Sequence, residues 1–391
     1  MTQRNRIGGP AVKMGVYRST EEMIAALRPS YPVYCVRTGV LRAAAEAFRS
    51  GFPGDVLYAV KCNPHPLVLQ ALNRGGISHF DTASLAEVAL VRELFPDARL
   101  YFNHPIKVRP HIRMAHTVYG VRHYVIDHAN ELDKVIEESD GAKDATILVR
   151  MATPAAGAAF HLSAKFGAPP QACVELLQLV RARGLKPALS FHVGSQCLNP
   201  QAYGIALRVV RDVLETARVE LDCLDVGGGF PAAYTGAEIP PLGKFFEAIR
   251  AGLKGLGLPP HCHILCEPGR ALVADGVSLV VQILLRKEER LYINDGVYHS
   301  LSETVSGGIR LPPRLIRLNG SAPANESADF TLYGPTCDST DVLPHPYTLP
   351  ADAREGDWIE LGRAGAYTSA LVSHFNGFHP ETFIEIEAGD R

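Results

Sequence analysis

Val56-Leu57-Tyr58-Ala59-Val60-Lys61-Cys62-Asn63-Pro64 sets a lysine at the end of a short apolar run and follows it at once with a turn signal. Val56 to Val60 is too short for a helix and rich in β-formers, so it reads as a fully buried strand. Lysine is among the residues least often found inside a protein. At the C-terminal end of a strand it stands where α/β proteins place their ligands. An amine held there can lose its proton readily and form a Schiff base with a carbonyl. A strand-end lysine can also simply snorkel to water, and only the rest of the chain decides between the two.

Outward from this segment, residues 30 to 275 alternate short apolar runs with amphipathic stretches. The strand candidates are Val56–Val60, Ser78–Phe80, Arg99–Phe102, His123–Ile126, Ala145–Val149, Ala188–Phe191, Leu221–Val226 and His263–Cys266. Helical patterns lie between them, at Ser84–Leu94 (Ser84 as cap, Glu87 three residues on), Ala129–Glu138, Pro170–Arg183, Pro200–Ala217 and Pro241–Leu256. Eight strands separated by helices is the count of a (β/α)8 barrel, although an open doubly wound sheet has the same local signature. The strand ends favour the barrel. Lys61, Asp81, Asn103, Asp127, Arg150, His192, Gly227-Gly228-Gly229 and Glu267 follow successive strands. A barrel builds its active site from many strand ends, whereas an open sheet concentrates it at one switch point.

After about residue 275 the pattern changes. Val277–Leu285, Arg290–Ile293, Arg314–Leu318, Phe330–Tyr333, Asp357–Leu361 and Phe383–Glu387 are strand-like, with Gly, Pro and Ser between them. The expected organisation is a barrel over 30–275 and an all-β domain formed by 276–391 with the segment 1–29. Leu343-Pro-His-Pro-Tyr-Thr-Leu-Pro350 reads as a loop.

The chain has 391 residues, 47% of them apolar and 20% charged, with a formal net charge of −2. That balance gives no electrostatic argument for nucleic acid or a membrane surface. The apolar runs are too short to span a bilayer, and the first ten residues lack the apolar core of a signal peptide, so the cytoplasm is the expected compartment. Eight cysteines scattered through strand-like segments of a long chain do not form a disulfide framework. His261-Cys-His-Ile-Leu-Cys266 alternates as a strand and splits its histidines and cysteines between two faces, so no metal is expected.

Three further strand ends carry chemistry. Asp225-Val-Gly-Gly-Gly-Phe-Pro231 closes the seventh strand with three glycines, which let backbone N–H groups approach an anion, phosphate above all. Cys266-Glu-Pro-Gly-Arg-Ala271 sets a carboxylate beside a guanidinium. Ser190-Phe-His-Val-Gly-Ser-Gln196 supplies an imidazole and a hydroxyl. A lysine for an imine, glycines and an arginine for a phosphate, and a carboxylate for a ring nitrogen are together what pyridoxal 5′-phosphate requires.

The set resembles the fold-type III pyridoxal-phosphate decarboxylases, the ornithine, lysine and diaminopimelate decarboxylase family. The motifs that carry the resemblance are Tyr-Ala-Val-Lys61-Cys-Asn, Phe-Asp81-Thr-Ala-Ser, Phe-His192-Val-Gly-Ser195, Asp-Val-Gly-Gly-Gly-Phe-Pro, Glu267-Pro-Gly269-Arg270, Asn-Asp295-Gly-Val-Tyr298, Gly-Pro-Thr-Cys337-Asp338 and Gly-Ala-Tyr367-Thr, in the family's order. The resemblance implies a barrel followed by a β-domain. It implies that Lys61 holds the cofactor, with Asp81 nearby, that His192 stacks on the ring, and that Glu267 pairs with the pyridine nitrogen. Ser195, Gly227, Gly228, Gly229, Gly269, Arg270 and Tyr367 are then the phosphate end, and Arg150 lies near the phenolic oxygen. Cys337, the candidate proton donor, and Asp338 resemble the pair that each subunit of a homodimer lends to its partner's site. Lys165 and Asp341 resemble an intersubunit ion pair. Racemases on a similar barrel use an arginine where Glu267 stands, so Glu267 points to decarboxylation.

Asp338 after the cysteine is the ornithine decarboxylase form and is expected to take a distal cation, with Tyr298 beside it. Ornithine or lysine is the expected substrate, and polyamine biosynthesis the expected setting. A second aspartate of that family is missing near Ser306-Gly307-Gly308, and Glu303, four residues upstream of Gly307, is the candidate substitute. Arg310 or Arg314 would instead suit an acidic or neutral tail, which leaves a non-standard amino acid as the alternative substrate.

Overall fold

The computed structural model describes residues 15–141, 143–153, 158–160 and 164–387. Eight parallel strands close into a barrel: Asp55–Ala59, His79–Thr82, Arg99–Phe102, His123–Ile126, Thr146–Met151, Lys186–Phe191, Cys223–Asp225 and His263–Cys266. Closure is made by the last strand on the first, with Leu265 opposite Asp55 and Cys266 opposite Val56. Each expected strand is present, with ends shifted by up to two residues. Within the His261–Cys266 segment, His263–Cys266 is the eighth strand.

The barrel interior is filled. Leu57, Tyr101, Val125, Leu148, Ala188, Cys223 and Leu265 form one inner cluster, while the opposite faces of the strands pack under the helices in a larger core. Strands buried on both faces therefore read as continuous apolar runs. The helices start where their caps predict. Ser84 Oγ accepts from Glu87 N–H at 3.2 Å and Glu87 Oε2 accepts from Ala83 N–H at 2.7 Å, closing the helix Leu85–Leu94 in a capping box.

The second domain is a sheet ordered Pro313–Ile316, Trp358–Leu361, Val277–Lys287, Arg290–Ile293, Ser327–Tyr333 and Tyr347–Pro350. Two findings correct the expectations. Tyr347–Pro350 is a strand rather than a loop, paired antiparallel with Ser327–Phe330. Proline is tolerated at such a strand's end on the sheet edge. Val33–Val36 lies in this sheet and not in the barrel, antiparallel to Val277–Val280 and parallel to Thr382–Glu385. The chain thus crosses into the barrel with the helix Thr38–Gly51, later than residue 30, and returns at Val277. The helix Thr20–Leu27 packs Met23 and Ile24 against Val280, Ile316, Trp358 and Ile384 of the same sheet. Among the described residues no helix is long and apolar enough to cross a membrane.

Candidate active site

Lys61 stands two residues past the end of its strand. The strand ends at Ala59, and Val60–Cys62 make a single 3-10 turn. Three contacts fix that turn to its own strand and to the second domain. Tyr58 Oη donates to the Asn63 carbonyl at 3.0 Å, Asn63 Nδ2 to the Gly365 carbonyl at 2.9 Å, and Tyr367 N–H to the Cys62 carbonyl at 3.0 Å. Gly269 completes the seam: a Cβ there would come within 3.0 Å of Cys62 Cβ. The turn so held aims Lys61 into a cavity of about 480 Å³ at the C-terminal mouth of the barrel. Its wall includes Asp81, Asn103, Arg150, His192, Ser195, Glu267, Glu303 and Tyr367.

Lys61 Nζ lies 2.8 Å from Oδ2 of Asp81, which is 1% exposed. Burial works against the ammonium, but the Asp81 and Glu267 carboxylates outweigh it and hold the Lys61 pKa above its ordinary value. Glu267 accepts a hydrogen bond from Asn103 Nδ2. Burial and the Asp81 charge push the Glu267 carboxyl up, against Lys61 and Arg150, which pull it down. Asp225, fully buried, is pushed up by burial and by Glu267, and its Oδ1 accepts from Gly227 N–H at 2.8 Å. Two carboxyls thus act on Lys61, and a third, Asp225, crowds Glu267. Asp81 Oδ1 and Asn103 Oδ1 are buried with no hydrogen-bond partner among the described residues.

His192 is neutral. Burial depresses its pKa well below the ordinary value, and the Arg150 and Lys61 charges add to that. Its Nδ1 accepts from Gly194 N–H at 3.0 Å, which fixes the ring. The three glycines pack against this strand end. Gly227 has φ +70° and a Cβ there would meet the Phe191 carbonyl at 2.1 Å; Gly229 has φ +110° and would meet the Gly194 carbonyl at 2.6 Å. Ser195 Oγ is 3.4 Å from Arg270 Nη2, and the Tyr367 ring lies 4.9 Å from the Arg270 guanidinium carbon. Ser195 and Tyr367 thus line the cavity beside Arg270, and the glycine turn packs against the strand end that carries His192.

Other expected residues stand elsewhere. Glu303, on the short helix Ser302–Ser306, lines the cavity, but its carboxylate grips Arg270 bidentately at 2.7 and 2.8 Å instead of facing an incoming distal amine. Tyr298 Oη donates to Asp338 Oδ2 at 2.7 Å, and neither lines the cavity of its own chain. The Asp338 carboxyl is held below its ordinary pKa by the Thr340 N–H and the Tyr298 hydroxyl. Cys337 is exposed next to it, its N–H bonded to Asn376 Oδ1 at 3.0 Å. Arg310 and Arg314 are turned away from the cavity, Arg310 toward the Pro346 carbonyl and Arg314 toward Glu360 and Glu21. Asp341 is not an exposed partner for Lys165. It is 2% exposed and accepts from Val297 N–H, Thr336 N–H and Thr336 Oγ1 of its own chain.

Motif reading missed two contributors. Asn103 is visible as a polar strand end, but its bond to Glu267 is not. Tyr234, whose hydroxyl accepts from Arg270 at 3.0 Å, carries no sequence signal.

Comparison with known proteins identifies the family. Residues 38–274 match the family described as "Pyridoxal-dependent decarboxylase, pyridoxal binding domain". A lysine/ornithine decarboxylase of Selenomonas ruminantium is 33% identical over 333 residues, covering 83% of this chain and 81% of that protein. Antizyme inhibitor 2 of Xenopus laevis is 34% identical over 349 residues, covering 82% of this chain and 73% of that protein. The crystal structure of a lysine/ornithine decarboxylase from Vibrio vulnificus complexed with putrescine superposes with a TM-score of 0.80 at 32% identity, covering 94% of this chain and 99% of that one.

Proposed function

The chain belongs to the pyridoxal-dependent decarboxylases, and from that premise we propose that it decarboxylates a basic L-amino acid, lysine or ornithine first, to the corresponding amine and carbon dioxide. One observation carries the proposal. Lys61 Nζ sits on Asp81 in the same barrel-mouth cavity as Glu267, and Ser195 lines that cavity with Arg270 behind it. The residues fit the cofactor. The cavity offers an amine for the aldehyde, a buried carboxyl for the ring nitrogen, and a serine–arginine–glycine end for the phosphate. The unpartnered oxygens of Asp81 and Asn103 mark a polar wall built for a further partner.

Bound there, pyridoxal 5′-phosphate supplies the electron sink for the pair left behind when carbon dioxide departs. The chain's own groups do the rest. Lys61 Nζ must lose a proton to act as a nucleophile, and Asp81 Oδ2 is the acceptor within reach. His192, kept neutral, offers a flat face for the ring without adding charge. Glu267 is the carboxyl that would pair with the pyridine nitrogen and favour its protonated form. Ser195, Gly228, Gly229, Arg270 and Tyr367 are the phosphate ligands of this reading, and Arg150 lies toward the phenolic oxygen.

The distal end of the substrate is assigned to a second subunit. Cys337 and Asp338 lie outside their own chain's cavity, and Leu371, Phe375 and Phe378 are exposed on the same face, 49%, 39% and 41% accessible. An exposed apolar group of this kind beside two chemically useful side chains supports a homodimer that shares its sites. Asp338 then meets the distal ammonium and Cys337 returns the proton to the α-carbon. A relative named antizyme inhibitor raises a non-catalytic reading. The presence of Lys61, His192, Glu267, Arg270, Cys337 and Tyr367 together supports catalysis. Eight free thiols support a reducing compartment, the cytoplasm.

The purified protein is expected to show a near-visible absorbance band that borohydride abolishes and that Lys61→Ala lacks. Carbon dioxide release from lysine, ornithine, arginine and a set of acidic amino acids then tests the substrate. Turnover confined to substrates without a distal cation overturns the role of Asp338. Mixing inactive Lys61→Ala with inactive Cys337→Ala tests the shared site. Partial recovery of activity supports it, and none sinks it.

A further inference from the structure

Arg270 is the group on which the phosphate end of the cavity depends, yet its fork is already taken. One terminal nitrogen donates to Tyr234 Oη at 3.0 Å and Glu303 Oε2 at 2.7 Å. The other reaches Glu303 Oε1 at 2.8 Å and Ser195 Oγ at 3.4 Å. Arg270 is 3% exposed and Glu303 8%. A planar guanidinium offers a carboxylate and a phosphate the same pair of parallel N–H donors, so the two anions compete for one geometry. Placed side by side in a buried site they also repel each other. Glu303 is carried on a five-residue helix that ends in Gly307 and Gly308, the latter at φ +62°. Its side chain can therefore turn from Arg270 into the cavity it already lines, with no movement of a sheet.

Resting on the cofactor reading above, we propose that Glu303 is a resident competitor for the anion site of Arg270. It occupies the guanidinium in the cofactor-free protein and yields it to the cofactor's phosphate. Pyridoxal 5′-phosphate must then displace a bidentate ion pair to bind, and Glu303 sets the affinity of the chain for its cofactor. The competition acts on the phosphate alone. Unphosphorylated pyridoxal, which meets Lys61 but not Arg270, escapes it.

The test titrates cofactor-free protein, prepared by hydroxylamine treatment and dialysis, with pyridoxal 5′-phosphate and separately with pyridoxal, reading the lysine-linked absorbance band. Glu303→Gln is expected to tighten pyridoxal 5′-phosphate about tenfold, the scale of one charge-assisted contact, and to leave pyridoxal unchanged. Inorganic phosphate, followed by calorimetry on the same cofactor-free proteins, is expected to bind more tightly to the variant as well. Glu303→Asp keeps the charge but shortens the reach. It should give a smaller gain, and it keeps the test open where Glu303→Gln does not fold. Unchanged or weaker pyridoxal 5′-phosphate binding by a folded variant overturns the proposal and makes Glu303 a support for Arg270. A wild-type protein that forms no borohydride-sensitive band overturns the cofactor reading itself, which separates the two failures.

Discussion

Two buried charge clusters of this molecule are built in opposite ways. In the β-domain, Glu360 is surrounded by donors: Thr20 Oγ1 at 2.9 Å, Ser278 Oγ at 2.6 Å and Arg37 at 2.7 Å on one oxygen, and Arg314 on the other. Burial pushes its carboxyl up, but Ser278, Arg314 and Arg37 outweigh burial and hold it at about 2. At the barrel mouth, Glu267 has Asn103 as donor, sits near Asp81 and Asp225, and has its proton affinity raised. The first cluster has satisfied every charge it contains and can only hold the fold together. The second has more acid than its donors satisfy, an arrangement that costs stability and is retained where a ligand or a proton completes it.

Substitutions that sharpen this contrast differ in size. Lys61→Ala should remove the absorbance band and lower kcat by about 10³-fold with the circular dichroism spectrum unchanged. Near-normal turnover in that variant would take the lysine out of the chemistry. Glu267→Gln should lower kcat by about 10²-fold while raising the melting temperature of the cofactor-free protein, because it relieves like-charge crowding. A variant both slow and less stable would mean that the barrel mouth is no different from the β-domain. Glu360→Gln should do the reverse. Turnover per folded molecule stays within about twofold, and stability falls by about 2 kcal/mol in denaturant titrations, less than for a fully buried pair because Arg314 is half exposed.

The smallest effect is in the pH dependence of stability, and its sign differs between the clusters. Glu360 titrates near 2 when folded and near its ordinary value of about 4.3 when unfolded, so its contribution is present above that value and is lost as pH falls toward 2. Glu267 and Asp225 bind protons more tightly when folded. Their contribution is present below the ordinary carboxyl range and is lost as pH rises through their raised values. Melting curves across pH should therefore flatten on the acid side in Glu360→Gln and at higher pH in Glu267→Gln. Equal slopes in both variants would erase the distinction.

The barrel was legible because each strand is buried on both faces and ends in a polar residue, so run and terminator appear together in the chain. Lys61, His192, Glu267 and the glycine turn were legible for the same reason: each is the terminator of its own strand. What escaped was pairing across distance. Arg270 and Glu303 belong to different domains, and nothing local to either tells which anion the guanidinium holds. The prolines of Leu343–Pro350 argued for a loop because they disrupt a central strand, and only the sheet's edge makes them admissible. Val33–Val36 is apolar enough for either domain, and its placement depends on partners more than two hundred residues away.

That placement also orders events in time. Val33–Val36 leaves the ribosome well before its partners, for the antiparallel one begins at Val277 and the parallel one at Thr382. At ordinary elongation rates, the roughly 240 residues between them take on the order of ten seconds to a minute to make. Through that interval the barrel can close while the first strand waits with both edges bare, open to a neighbouring nascent chain or a holdase. The same delay keeps Tyr367 from the turn that carries Lys61 until about 300 further residues are made, so the catalytic cavity is completed after the barrel has closed.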